Sequence, residues 1–165
     1  MTSSPRLALP FLNVGQAQKE FTVNEALQTL DLVVAAAVEQ EPLGEPPATP
    51  AIGACYLVDA APTGAWAGKP QTVAGYTDGG WRFISPTDGM VVFLKSAAQF
   101  ACYRGGAWEI GVLRGSSVFV DGQQVVSSRA SAIASPTGGA TVDVEARSAI
   151  ENILSSLRHH GLIDS

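Results

Sequence analysis

Charged residues are scarce in this 165-residue chain: they make up 15% of it, and the formal net charge is −5. The ten lysines and arginines form no cluster. Nucleic-acid binding relies on a basic face that neutralises phosphates, so the composition argues against that class of function. We expect no nucleic acid among the partners.

Cysteine and histidine are nearly absent, with two of each. Cys55 and Cys102 lie far apart and neither belongs to a Cys-x-x-Cys pair, so they cannot form a zinc site. We expect buried free thiols, and a disulfide only after exposure to an oxidant. His159 and His160 are adjacent on a predicted helix and point in different directions, which disfavours a metal pair or a catalytic base. The sequence predicts no metal and no cofactor.

Long apolar runs are missing too. The longest, at 32–38, is far shorter than a membrane-spanning helix. The first residues lack the basic and apolar regions of a secretory signal. We expect synthesis in the cytoplasm and no membrane insertion.

Catalytic motifs also fail. Gly64-Ala-Trp-Ala-Gly68-Lys69 is one residue shorter than a phosphate-binding loop and continues with Pro70. Aspartates could pair for glycoside hydrolysis, but three of the four candidates precede glycine in turns, which explains them structurally. We therefore expect no catalytic residues and no enzyme. The four candidates are Asp59, Asp78, Asp88 and Asp121.

Apolar residues are plentiful at 46%, which is enough for a buried core. Short runs rich in β-branched and aromatic residues predict strands at 55–58, 81–84, 90–94, 100–103, 108–110 and 117–120. Dipeptides typical of tight hairpins lie between them. The pattern predicts an antiparallel β-domain over 51–126, as a meander, a sandwich or a barrel. The dipeptides are Asp78-Gly79, Asp88-Gly89, Gly105-Gly106 and Asp121-Gly122.

An arm and a helix precede this domain, over residues 1–41. Thr22 and Glu25 have the spacing of a capping box, and apolar residues at helical spacing predict a helix over about 22–40. The Pro-rich stretch 42–50 predicts a linker. Apolar side chains of the arm and helix need cover from another surface. We therefore predict an anchoring interface at Leu9, Phe11, Leu12, Leu27 and Leu30.

A connector of small residues, 127–141, leads to a second helix predicted within 142–165. Asp143 suits an N-cap, and Gly161 is placed to end the helix. Its apolar residues alternate four- and three-residue steps, the spacing of a coiled-coil seam. The helix either packs on its own domain or associates with its copies. The seam consists of Ala146 and the predicted interface residues Ile150, Ile153 and Leu157. Altogether the sequence predicts a mainly β fold with flanking helices.

Aromatic residues allow two interpretations. Flat rings on a rigid sheet stack on sugars, which makes Trp66, Tyr76, Trp81 and Trp108 candidate glycan-binding residues. Alternatively, they fill the core of a small β-domain or a subunit interface, which we favour for Trp81 and Trp108. Trp66 lies in a Gly/Pro-rich loop, so we expect it to be the most exposed.

Several motifs carry a family resemblance. They are Leu9-Pro, Gly15-Gln-Ala-Gln-Lys-Glu20, Asn24-Glu-Ala-Leu27, Leu30-Asp31, Gly64-Ala-Trp-Ala-Gly68, Asp78-Gly-Gly-Trp81 and Gly105-Gly-Ala-Trp108. Residues 9–31 resemble the opening signature of DUF2793, a family of phage and prophage proteins, and the likeness covers about 5–110. The tail from Ser135 to Ile163 is similar to the ending often found on such proteins.

The resemblance implies a virion component without catalytic residues. Related genes occur in gene transfer agents, phage-like particles whose fibres or head spikes contact recipient cells. We expect a homo-oligomer, as a trimer or pentamer, bound to other capsid, spike or tail proteins in a particle released by lysis. Long family members attach further receptor-binding domains, whereas this chain stops soon after the signature domain. An adaptor or base role is therefore expected for it. The alternative is a carbohydrate-binding module for capsule or lipopolysaccharide.

Overall fold

The structure is a computed structural model that describes residues 3–12 and 19–164. It divides into two compact units, Met1–Val112 and Leu113–Ser165. The fold is mainly β with a helix towards each end, as predicted. The N-terminal unit contains α1 (Lys19–Val33), β1 (Ala37–Val38), β2 (Cys55–Leu57), a 3-10 helix (Gly64–Trp66), β3 (Val73–Thr77), β4 (Gly80–Ile84), β5 (Val91–Leu94), β6 (Gln99–Arg104) and β7 (Ala107–Ile110). The C-terminal unit contains β8 (Val118–Val120), β9 (Gln123–Val126) and α2 (Val144–His159).

Two small open sheets form the N-terminal unit. One is antiparallel, in the order β2-β3-β4, and the other has the order β1-β5-β6-β7. In the second sheet β1 pairs parallel with β5, while the remaining pairs are antiparallel. All six predicted strand segments form strands, which confirms runs of β-branched and aromatic residues as a guide to this fold.

Leu32 packs α1 against the first sheet, next to Gly75 on β3. Its side chain is 1% exposed and belongs to a core that includes Val38, Leu57 and Leu94. A Cβ added to Gly75 would lie 2.3 Å from Leu32 Cδ2. The absence of a side chain at Gly75 is therefore what lets the leucine approach the strand so closely.

The boundaries predicted for α1 are wrong. The helix begins at Lys19, so Thr22 lies inside it. Glu25, predicted to complete a capping box, instead forms an ion pair with Arg82 on β4 at 3.0 Å. The helix ends at Val33 rather than near residue 40, because Ala35 has a φ of 46° and the chain then enters β1.

The Pro-rich stretch 42–50, predicted as a linker, belongs to the N-terminal unit and is hydrogen-bonded within it. Leu43 N donates to Leu57 O at 2.9 Å, and Asp59 N donates to Leu43 O at 2.8 Å. These bonds lay the stretch beside β2. The boundary between compact units falls after Val112 instead, within the stretch predicted as one β-domain.

The C-terminal unit confirms the second predicted helix. Asp143 caps α2 by accepting a bond from Ala146 N at 2.8 Å, and Gly161 follows the helix with a φ of 67°. The connector lies along one side of α2. It is held there by bonds from Arg147 Nη1 to Pro136 O at 2.8 Å, from Ser135 Oγ to Glu151 Oε2 at 3.0 Å and from Arg158 Nη2 to Ile133 O at 2.8 Å.

Candidate interaction surfaces

The predicted glycan-binding residues do not form an open platform, and the expectation that Trp66 is exposed is wrong. Trp66 is 0% exposed. The 3-10 helix Gly64–Trp66 turns the indole inward, where its ring centroid lies 6.0 Å from that of Tyr56 and 5.0 Å from that of Trp81. Such tilted and edge-on ring pairs are typical of a packed aromatic core.

Strand register explains how this aromatic cluster forms. Tyr76 lies opposite Trp81, and Ala74 lies opposite both Tyr56 and Phe83. Successive side chains alternate between faces of a sheet, so these residues share one face. The other face of β2 presents Cys55 and Leu57 to the core that contains Leu32.

Burial also changes the acidity of two side chains in β2. Burial raises the pKa of the Cys55 thiol above its ordinary 9.0, and burial likewise raises the pKa of the Tyr56 phenol above 10.0. Both groups stay neutral over a wider pH range than in an unfolded chain, which is typical of a packing role. Cys55 and Cys102 are both free thiols, the first buried and the second half-buried.

Trp108 lies on the second sheet, outside the aromatic cluster. Its Nε1 donates to Gln71 O at 2.9 Å, and its ring centroid lies 5.3 Å from that of Tyr103. The hydrogen bond joins β7 to the loop before β3, and the ring contact joins it to β6. Tyr76 and Trp81 are half-buried, and a glycan-binding role for them stays a prediction.

A polar network that the sequence analysis missed fixes the N-terminal arm. Asp31 is 1% exposed. Its carboxylate accepts bonds from Ser4 Oγ at 2.7 Å, from Leu7 N at 2.6 Å and from Arg6 N at 3.0 Å. Charged acceptors make the stronger class of hydrogen bond. One carboxylate thus orders the turn of the arm.

Arg6 adds a second connection between the arm and α1. Its guanidinium donates to the carbonyl oxygens of Asp31, of Leu32 at 3.3 Å and of Ala35 at 2.9 Å. Carbonyls at the end of a helix lack helical partners, and a cation suits the negative end of the helix dipole. Arg6 therefore caps α1 from a distant part of the chain.

An apolar stripe lies on the outer side of α1. The side that faces the sheet carries Leu32 and Glu25. Helical spacing places the α1 stripe on the opposite side. The stripe consists of Val23 (39% exposed), Ala26, Leu27, Leu30 (47%) and Val34 (47%).

The predicted anchoring residues divide into two groups. Leu12 and Leu30 are exposed, at 40% and 47%. Leu9, Phe11 and Leu27 are half-buried. The predicted anchoring interface is therefore exposed in part, at one residue of the arm and one of the helix.

Very little is buried in the C-terminal unit. Among its described residues, the buried hydrophobic side chains are Leu154 and Ile163. Leu113, Val144 and Phe119 are 93%, 66% and 61% exposed. Every residue of β8 and β9 is exposed, and an isolated two-stranded hairpin is marginal in water.

The two sides of α2 differ in their contacts. The side with Arg147, Glu151 and Arg158 contacts the connector. The α2 seam, defined as Ala146, Ile150, Ile153 and Leu157, lies on a neighbouring side. Ile150 and Ile153 are 42% and 58% exposed and Leu157 is half-buried, so packing within the unit covers the seam only in part.

Candidate metal clusters and membrane-spanning helices are absent from the described part of the chain. Within residues 3–12 and 19–164, no group of three or more His, Cys, Asp or Glu side chains could hold a metal ion. Across the same ranges, none of the helices has the length and apolarity needed to span a membrane. Asp59 accepts a hydrogen bond from Ala60 N at 2.6 Å, and Asp88 accepts one from Gly105 N, 17 residues further along the chain, at 3.1 Å.

Comparison with known proteins places the chain in a family. No curated protein and no solved structure matches it. The family model described as "Protein of unknown function (DUF2793)" matches residues 23–109, which is more than half of the 165-residue chain. The match runs from α1 to β7 and confirms, over these residues, the family named from the sequence. The chain therefore belongs to the DUF2793 family.

Proposed function

We propose that this protein is a non-enzymatic structural component of a phage-like particle, in a head spike, a tail fibre or a fibre base. It anchors to the particle and helps attachment to the host cell surface. The phage setting is what the resemblance of residues 9–31 implies. The observation that carries the proposal is the set of strongly exposed apolar side chains in the C-terminal unit, among them Leu113, Phe119 and Ile153, whose burial by other subunits would be stabilising.

In this proposal, two surfaces bind different partners. The α1 stripe and the neighbouring Leu12 dock on a capsid, spike or tail protein. Their support is a unit with its own core, held together at Leu32 and Asp31. The C-terminal unit joins copies of the chain into a trimer or pentamer, which covers its hairpin and its helix. Both surfaces present side chains suited to packing rather than to catalysis.

Carbohydrate binding is the alternative proposal. The support for it is the pair Tyr76 and Trp81, whose rings lie 4.9 Å apart across β3 and β4 and are half-buried. Trp66 contributes to it only as packing beneath Trp81. Binding of capsule or lipopolysaccharide that is lost in Trp81→Ala but kept in Phe119→Ala would favour this alternative.

Immunogold electron microscopy of purified particles tests the main proposal. Antibodies against the native chain are used, so that no tag disturbs either surface, and a strain that lacks the gene is the control. We expect gold at one defined location of the particle, and co-sedimentation of the chain with particles in a density gradient. Unlabelled particles, with the chain in the soluble fraction after lysis, would contradict the proposal.

A further inference from the structure

A small apolar groove lies on the exposed side of α2. It has a volume of about 300 Å³ and is lined by Asn152, Ile153, Ser156, Leu157 and His160. Four of these residues, Ile153, Ser156, Leu157 and His160, occur at positions i, i+3, i+4 and i+7. Four residues in that arrangement form the hole that receives a side-chain knob from a facing helix.

The α2 seam supplies knobs of the right kind. Ile150 and Leu157 occupy equivalent positions one heptad apart, and Ile153 lies between them. Ile150 and Ile153 point away from the unit's own packing, at 42% and 58% exposure. The helix thus carries both a hole and the apolar side chains that fill such holes.

Residues beside the seam favour a copy of the same helix as the occupant. Identical helices place identical side chains together, so charges beside the seam would repel each other. Ala149 and Ser156, which flank the seam on its open side, are uncharged and small. The Ser156 hydroxyl donates to Asn152 O at 3.0 Å, so it needs no partner across the interface.

We propose that α2 packs in parallel against α2 of other copies, with Leu157 of one copy seated in the groove formed by Ile153, Ser156, Leu157 and His160 of the next. The proposal rests on the homo-oligomer of the proposed function. Rotation about one symmetry axis keeps the direction of a helix that runs along this axis, so a trimer or pentamer brings its copies together in parallel. Burial of the seam compensates for the few apolar side chains that the unit buries alone.

Light scattering coupled to size-exclusion chromatography of the full chain tests this interface. Ile153→Glu and Leu157→Glu place a charge in the seam, and Ser148→Glu places the same charge at an exposed position outside it. We expect the seam variants to elute at the single-chain mass of 17.1 kDa where wild type and Ser148→Glu are oligomers. Circular dichroism checks that the variants keep their helices. Seam variants with the wild-type oligomeric mass would overturn the proposal.

Cross-linking tests the parallel direction. In a parallel bundle the Ile153 positions of neighbouring copies meet, so mild oxidation of the Ile153→Cys variant should join the introduced thiols of two copies in a disulfide, identified by peptide mapping. Ser148→Cys is the matched control and should give no such bond. An Ile153→Cys oligomer without that bond would overturn the parallel arrangement.

The two proposals fail in different ways. If the oligomer persists in both seam variants, the proposed α2 interface is ruled out. That result says nothing against the presence of the chain in a particle. If purified particles lack the chain, the proposed function is ruled out, whether or not α2 joins copies of the chain. A wild-type chain that is a monomer at micromolar concentration contradicts both.

Discussion

The two compact units differ in how many apolar side chains they bury. The N-terminal unit has one core that contains Leu32 and Leu57 and a second around Trp66. In the described part of the C-terminal unit, Leu154 and Ile163 are the buried hydrophobic side chains. Burial contributes about 25 cal/mol per Å² and must offset the conformational entropy lost on folding. We therefore expect the first unit to be stable alone, and we propose that the second gains stability from partners.

The division into two units agrees with the residues that the family model matches. The matched residues 23–109 fall within the N-terminal unit, Met1–Val112. The region that defines the family is thus the region with a core of its own. We infer that the C-terminal unit gains its stability in an assembly, and that its exposed apolar residues are needed for that purpose.

The largest expected effect separates the cores of the two units. Trp66→Ala should lower the free energy of unfolding by about 3–5 kcal/mol, because it empties the centre of an aromatic core. Phe119→Ala in the C-terminal unit should change it by less than about 0.5 kcal/mol at monomeric dilution, since this ring is 61% exposed. Urea unfolding followed by tryptophan fluorescence and circular dichroism measures both. Equal losses would show that the C-terminal unit has a core of its own.

A smaller effect is expected at the arm of the N-terminal unit. Asp31→Asn replaces one acceptor oxygen with an amide nitrogen that faces hydrogen-bond donors. This change should lower the free energy of unfolding by about 1–3 kcal/mol. The arm should then open, and trypsin should cleave after Arg6 several-fold faster. Asp59→Asn is the control, because its carboxylate accepts from Ala60 N at an exposed position. Unchanged cleavage after Arg6 would mean that Asp31 does not hold the arm.

The smallest effect is a loss of stability at alkaline pH. Burial raises the pKa of Cys55 above 9.0, so at higher pH the unfolded thiol ionises while the folded thiol keeps its proton. The contribution of Cys55 to the free energy of unfolding is fully present below pH 9. It falls as the pH rises further, by at most about 1.4 kcal/mol per pH unit. Urea midpoints at about pH 8 and about pH 10 should differ less in Cys55→Ala than in wild type. An equal difference would assign the alkaline loss to other groups.

Local signals made much of the fold predictable. β-branched runs and glycine turns located six of the strands but missed β1, β3 and β9, and Gly105-Gly106 and Asp121-Gly122 do form two-residue hairpin connections with positive φ. The Asp143 cap and Gly161 located α2. Each of these features depends on residues that are close in sequence.

Contacts between distant residues determine the features that were missed. Ala37 and Val38 continue the apolar spacing of α1, yet they pair with β5, which no local pattern indicates. Trp66 lies in a loop typical of the surface, and its burial depends on Tyr56 and Trp81 from two strands. The role of Asp31 depends on an arm more than twenty residues away.

Hydrogen–deuterium exchange at several protein concentrations tests the central comparison most directly. We predict that amides of β8, β9 and α2 become more protected as the concentration rises through the range in which oligomers form. Protection of β2, β3 and β4 should stay constant over that range. Strong protection of β8, β9 and α2 in samples that light scattering shows to be monomeric would contradict the account.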